Sequence, residues 1–231
     1  MRALSFLIDA RHGMRALQLA TRSDMTLQNR VLPTGDIVAA PAYRGTLTGN
    51  RGILHDADKK LGARRWTHHA WICCELDFKG RRREPMSQRS WTELFFHDEA
   101  VAMAAGHRPC AYCRRSDYTT FLDAWERGHG HRPSARQLDT QLHAHRVDGG
   151  RRTQRRHVAR LDDLPDGAFI LHDDTPCLVL GETLRPFAPS GYGASHRRPR
   201  GGMAQVCTPA PLLPVLRAGF PLRLHPELDR R

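Results

Sequence analysis

The apolar positions of this 231-residue chain change period along its length. Over residues 29–56 they come in short groups broken by Thr34-Gly35-Asp36 and Thr48-Gly49-Asn50, which predicts short strands joined by turns. The aromatic and β-branched stretch WTHHAWICCELDFKG (66–80) predicts a further strand closed by Lys79-Gly80. A basic turn, GRRREPM, follows, and WTELFF (91–96) reads as another short strand. The period then becomes helical. HDEAVAMAAG (97–106) is a short alanine-rich helix, with Asp98 placed to cap its N-terminus and Gly106 to end it. RPCAYC (108–113) is a tight knuckle. In SDYTTFLDAWERG (116–128), Tyr118, Phe121, Leu122 and Trp125 fall at i, i+3, i+4 and i+7 behind a capping Ser116. PSARQLDTQLHAHRV (133–147) predicts a third helix, with Pro133 and Ser134 at its start.

Beyond the basic loop DGGRRTQRRH (148–157) the texture changes again. LPDGAFILHDDTPCLVLGETLRPF alternates strand and turn, with Asp166-Gly167 and Gly181-Glu182 as punctuation. SGYGASHRRPRGG reads as a loop, and AQVCTPAPLLPVLRAGF as a strand followed by a short helix entered through Pro211. There is no internal repeat. The expected fold is α+β. A loose N-terminal extension (1–28) precedes a treble-clef-like, zinc-stapled domain (29–150), and a small β-rich domain (160–231) follows.

Charge adds a partner class. The net charge is +12 and the sequence pI about 10.3. Lysine occurs only at Lys59, Lys60 and Lys79, so the other 33 of the 36 basic residues are arginine. A GC-rich coding sequence accounts for arginine over lysine, but not for the excess of 36 basic over 24 acidic residues. Such a balance suits nucleic acid, whose phosphates accept the planar guanidinium fork. The basic positions nearest the knuckle are Lys79, Arg81, Arg82, Arg83, Arg108, Arg114 and Arg115, the expected contacts to nucleic acid. No apolar run reaches the length of a membrane span. With no secretory leader pattern, the cytoplasm is the expected location.

In that compartment, clustered cysteines favour metal over disulfides. Six are present: Cys73, Cys74, Cys110, Cys113, Cys177 and Cys207. Cys177 and Cys207 sit alone in apolar stretches and are expected as buried small hydrophobes. Cys110-x-x-Cys113 is one corner of a zinc site. The preceding hairpin offers the other corner. Adjacent residues of a strand face opposite sides, so only one of Cys73 and Cys74 joins, expected to be Cys74, with His55 as fourth ligand. His97-x-Glu99 followed by Pro109-Cys110 matches the zinc deaminases letter for letter. A short helix leaves no room between the two parts for the strand that those enzymes carry. His55-Asp56 also fits the Asp/His pairs of treble-clef nucleases, which makes a metal-dependent nuclease the alternative to a binding protein. A zinc-stabilised interaction module without nucleic acid is the third option.

Phe95, Phe96, the alanine-rich run from Ala100 to Ala105, Gly106, Arg108, Pro109, Cys110, Cys113 and Arg114 follow one another without a gap. Over residues 93–117 this order resembles the second half of the metal-binding domain of the Ada-type DNA repair proteins. The resemblance implies that Cys110 and Cys113 are zinc ligands and that their surroundings meet the DNA backbone; the sequence itself leaves DNA and RNA both open, with DNA the expected partner. That family's methyl-accepting cysteine precedes the aromatic pair. The corresponding position here falls near Arg83 and holds no cysteine, so the resemblance implies the zinc scaffold without alkyl transfer.

Overall fold

A computed structural model describes residues 26–81, 84–88, 90–149 and 153–229. The fold is mixed helix and sheet, mostly β. The first sheet is built from β1 (Arg30–Val31), β2 (Ile37–Val38), β3 (Leu47–Asn50), β4 (Ile72–Glu75), β5 (Leu94–Phe96) and β6 (Arg108–Pro109). Their spatial order is β2-β1-β5-β3-β4-β6. β3 runs antiparallel to both β4 and β5, whereas β4 and β6 pair in parallel.

The second sheet begins at His157, three residues before the expected start of the β-rich domain. It contains β9 (His157–Arg160), β10 (Phe169–His172), β11 (Thr175–Leu180), β12 (Thr183–Ala188), β13 (Gly191–Tyr192), β14 (His196–Arg197) and β15 (Met203–Val206). Its order is β13-β12-β11-β10-β15-β9, with β14 also on β12 and every pairing antiparallel. Both basic segments read as loops thus contribute strands. The small ladder of β7 (Val147–Asp148) and β8 (Thr153–Gln154) leads into β9, which pairs with β15.

Four α-helices and two short 3-10 helices (Leu161–Asp163 and Pro226–Asp229) complete the described chain; the α-helices are α1 (Glu99–Ala104), α2 (Arg115–His129), α3 (Ala135–Arg146) and α4 (Leu212–Arg217). All six residues of α1 are buried. Apart from Glu99, which Arg114 neutralises, its side chains are apolar all round, as suits a buried helix, and α1 lies between the sheets. Ala102 packs with Leu47, Leu94 and Phe96 of the first sheet, while Ala100, Val101 and Ala104 pack with Phe169, Leu178 and Phe187 of the second. Small side chains allow this double contact. The two halves expected from sequence therefore keep separate sheets but share packing. α2 and α3 likewise add Phe121, Trp125, Leu138 and Leu142 to a core containing Ile170, Val179 and Val206. Cys177 and Cys207 are buried in these cores.

Local signals hold at α1, whose N-terminus is capped by the Asp98 carboxylate accepting from Val101 N–H at 2.9 Å. They also hold at α3, where Ser134 and Gln137 form a capping box. α2 starts earlier than expected, at Arg115, with Arg114 rather than Ser116 at its cap. Thr48-Gly49-Asn50 is not a turn but part of β3. A Cβ on Gly49 would meet the Ile72 carbonyl oxygen at 2.1 Å, so the glycine permits close strand approach. No helix of the described residues is long and apolar enough to cross a membrane.

Candidate metal centre

The parallel pairing of β4 with β6 sets Ile72 opposite Arg108 and Cys73 opposite Pro109. Cys110 N–H donates to the Cys73 carbonyl at 2.9 Å and extends the register by one step. Cys74 and Cys110 are thereby neighbours, and the turn of the knuckle returns Cys113 to them. The three sulfur atoms lie within 4.8 Å of one another, and all three thiols are free of disulfides. The pleat of β4 sends Cys73 the other way, into the core with Leu94 and Phe96.

The surroundings favour negative charge on sulfur at Cys110. Tyr112 N–H donates to its Sγ at 3.4 Å. A hydrogen bond from the Cys74 thiol, with backbone N–H groups of the knuckle, holds the Cys110 thiol well below the usual thiol range despite burial. The same hydrogen bond, reinforced by burial, holds Cys74 protonated. Burial also pushes Cys113 up. A shared proton of this kind is what a cation replaces when it draws several thiols together as thiolates. The cluster could hold a metal ion.

The remaining expected site residues divide. Lys79, Arg81 and Arg115 are exposed close in sequence to the thiols. Arg82 and Arg83 lie outside the described residues. Arg108 and Arg114, expected at a nucleic-acid surface, are buried instead, at 4% and 3% exposure. Arg108 forms a bidentate pair with Asp139, Nε to Oδ1 at 2.7 Å and Nη2 to Oδ2 at 2.8 Å. Arg114 joins Glu99 at 2.8 Å and Asp117 at 2.7 Å, and its Nη1 reaches Cys73 Sγ at 3.6 Å. These carboxylates consume the charge that phosphate contact would need.

His55 is not among the residues that converge. Its Nδ1 lies 2.7 Å from Thr92 Oγ1 and its Nε2 3.3 Å from the Ser87 carbonyl. Asp56 turns away and accepts from Asp58 N–H and Lys60 N–H at 2.9 Å each, closing its own turn. The pair is thus engaged in local structure.

A second group was not legible in the sequence. His97, His225 and Glu227 bring their ligand atoms within 4.8 Å of one another and could also hold an ion. As they stand, His97 Nε2 and Glu227 Oε1 are 2.6 Å apart, and the two imidazoles stack at 4.1 Å. More than 120 residues separate His97 from His225 and Glu227, so no spacing rule could join the three. Glu99, the other letter of the deaminase match, is committed to Arg114.

No protein-family model, no curated protein and no solved structure matches this chain.

Proposed function

We propose that this chain is a zinc-containing nucleic-acid-binding protein, with DNA the expected partner. One observation carries the reading: three unbridged thiols from two separated segments converge within 4.8 Å. Thiolate sets select soft or borderline cations, and zinc is the common redox-inert member. With Zn–S bonds of about 2.3 Å, sulfurs around one tetrahedral ion sit about 3.8 Å apart, compatible with that spread. Bound there, zinc would tie the end of β4 to the knuckle and the start of α2.

Those same segments carry the exposed cations Lys79, Arg81 and Arg115. Fixing both segments fixes the cations relative to one another, which is what contact with a regular phosphate backbone requires. The net charge of +12 supports the same partner class. So does the resemblance of residues 93–117 to the Ada-type metal-binding domain. The engagement of His55 with Thr92 and Ser87 favours binding over the nuclease alternative.

The test has two parts. Full-length protein purified without added metal is expected to hold about one zinc at this site, lost in Cys74→Ser and in Cys110→Ser but kept in Cys73→Ser. Zinc retained in Cys74→Ser would overturn the site. Zinc-loaded protein is then titrated with DNA over a salt series. Three phosphate contacts give a log–log slope of about −2.7. Absence of binding, or a flat salt response, would overturn the nucleic-acid reading while leaving the metal site intact.

A further inference from the structure

The two segments that supply the thiols also expose aromatic surface. Tyr112 occupies the tip of the knuckle, between Cys110 and Cys113, and is 60% exposed. Phe78, four residues after Cys74, packs against it edge to face, with ring centroids 5.2 Å apart. Lys79 Nζ stands 5.3 Å from the Phe78 centroid and 5.5 Å from that of Tyr112. Leu76, at the start of the same turn, is 45% exposed. Exposed tyrosine and leucine are individually ordinary. Two rings brought together from separate segments, with an ammonium shared between them, need a common explanation.

The backbone helps to hold this arrangement. Lys79 adopts φ of 58°, a left-handed conformation that costs a non-glycine residue about 1 kcal/mol or more. Arg81 N–H closes the turn on the Phe78 carbonyl at 3.2 Å. The turn keeps Lys79 beside the rings and presents Arg81 next to it. Arg115 is exposed two residues beyond Cys113, and Asp77 is the only carboxylate in the turn 76–81. The surface therefore combines the exposed Tyr112 ring, braced by the half-buried Phe78, with an excess of cations.

We infer that Phe78, Tyr112 and Lys79 form a stacking platform for unpaired bases, and that the ligand of this face is single-stranded nucleic acid. The inference rests on the function proposed above and narrows it. A paired duplex hides its base faces and offers this surface only phosphates, whereas a single strand offers both a π face for Tyr112 and a phosphate for Lys79, Arg81 or Arg115. Stacking tolerates any base, so little sequence preference is expected. Cys74, Cys110 and Cys113 would, with zinc bound, hold the Phe78 turn and the Tyr112 knuckle in position. A deoxyribose and a ribose strand share the recognised chemistry.

The test measures fluorescence anisotropy of full-length, zinc-loaded protein with three labelled probes of equal length: oligo-thymidine DNA, oligo-uridine RNA and a blunt DNA duplex. Wild type is expected to bind at least one single strand more tightly than the duplex. Tyr112→Ala should weaken that strand about 5-fold to about 150-fold, the range for losing one stacked base. It should leave duplex binding and zinc content unchanged, and Tyr112→Trp should retain affinity. The single strand that loses affinity in Tyr112→Ala identifies the sugar. Two results would overturn the inference and spare the broader function: equal binding of strand and duplex, or wild-type strand affinity in Tyr112→Ala with zinc intact. No binding of any probe by zinc-loaded wild type would overturn both.

Discussion

Replacing Asp139 by asparagine tests whether Arg108 is a structural residue. The Arg108 and Asp139 side chains are 5% and 10% exposed, and their two hydrogen bonds tie β6 to α3. Burial works against the guanidinium charge, and Asp139 more than restores it. Asparagine has almost the same shape but can accept only one of the two N–H donors, and its own amide N–H₂ meets the other. Arg108 is then left as a buried cation without a counter-charge. Breaking such a pair from one side costs about 3–5 kcal/mol. Against a total stability of about 5–15 kcal/mol this is a large fraction. For a chain of this size it corresponds to a fall in Tm of about 6–20 °C. Urea unfolding followed by far-UV circular dichroism measures it. The double variant Arg108→Met/Asp139→Leu should recover most of the loss, because neither charge remains buried. A stability of Asp139→Asn within about 1 kcal/mol of wild type would refute a structural role for the pair, as would a double variant that costs as much as Arg108→Met and Asp139→Leu added.

Two further outcomes follow from the geometry. His55→Ala should leave the zinc content unchanged and lower stability by about 1–3 kcal/mol, because the ring bonds Thr92 and Ser87 rather than the thiols; loss of zinc in this variant would make His55 a ligand after all. Glu227 supplies a pH dependence: burial pushes its carboxyl up, but Tyr192 N–H and His97 outweigh that, and the folded pKa is depressed. A depressed carboxylate contributes stability above its unfolded value, about 4.3, and loses that contribution as pH falls through the folded pKa. In urea titrations, wild type should therefore exceed Glu227→Gln at about pH 6, with the gap closing in acid below that unfolded value; a gap independent of pH would refute the assignment.

What could be read from sequence was set by how local each cause is. Asp98, the alanine run and Gly106 define α1 because capping and a left-handed stop (φ of 84° at Gly106) act within one helix. That only one of Cys73 and Cys74 could join the site was legible as soon as the segment was read as a strand, because the pleat separates their faces; which of them it is depends on the core that takes up Cys73. Gly49 was misread as a turn because its reason lies across the sheet, in the Ile72 carbonyl that a side chain would strike. His55 shows the same limit. Adjacency to an acid along the chain says nothing about the Thr92 hydroxyl, 37 residues away, that engages its ring. The arginines mark the deeper difference. Counted along the chain, Arg108 and Arg114 belong with Arg115 and Lys79 in one basic cluster. In space, Asp139 and Glu99 remove the first two from the surface and turn them into braces for the knuckle. Net charge is a sum along the chain, whereas tertiary pairing decides which of its cations stay exposed. Aromatic exposure is decided in the same way, since Tyr112 takes its place beside Phe78 only when β4 and β6 bring the cysteine segments together.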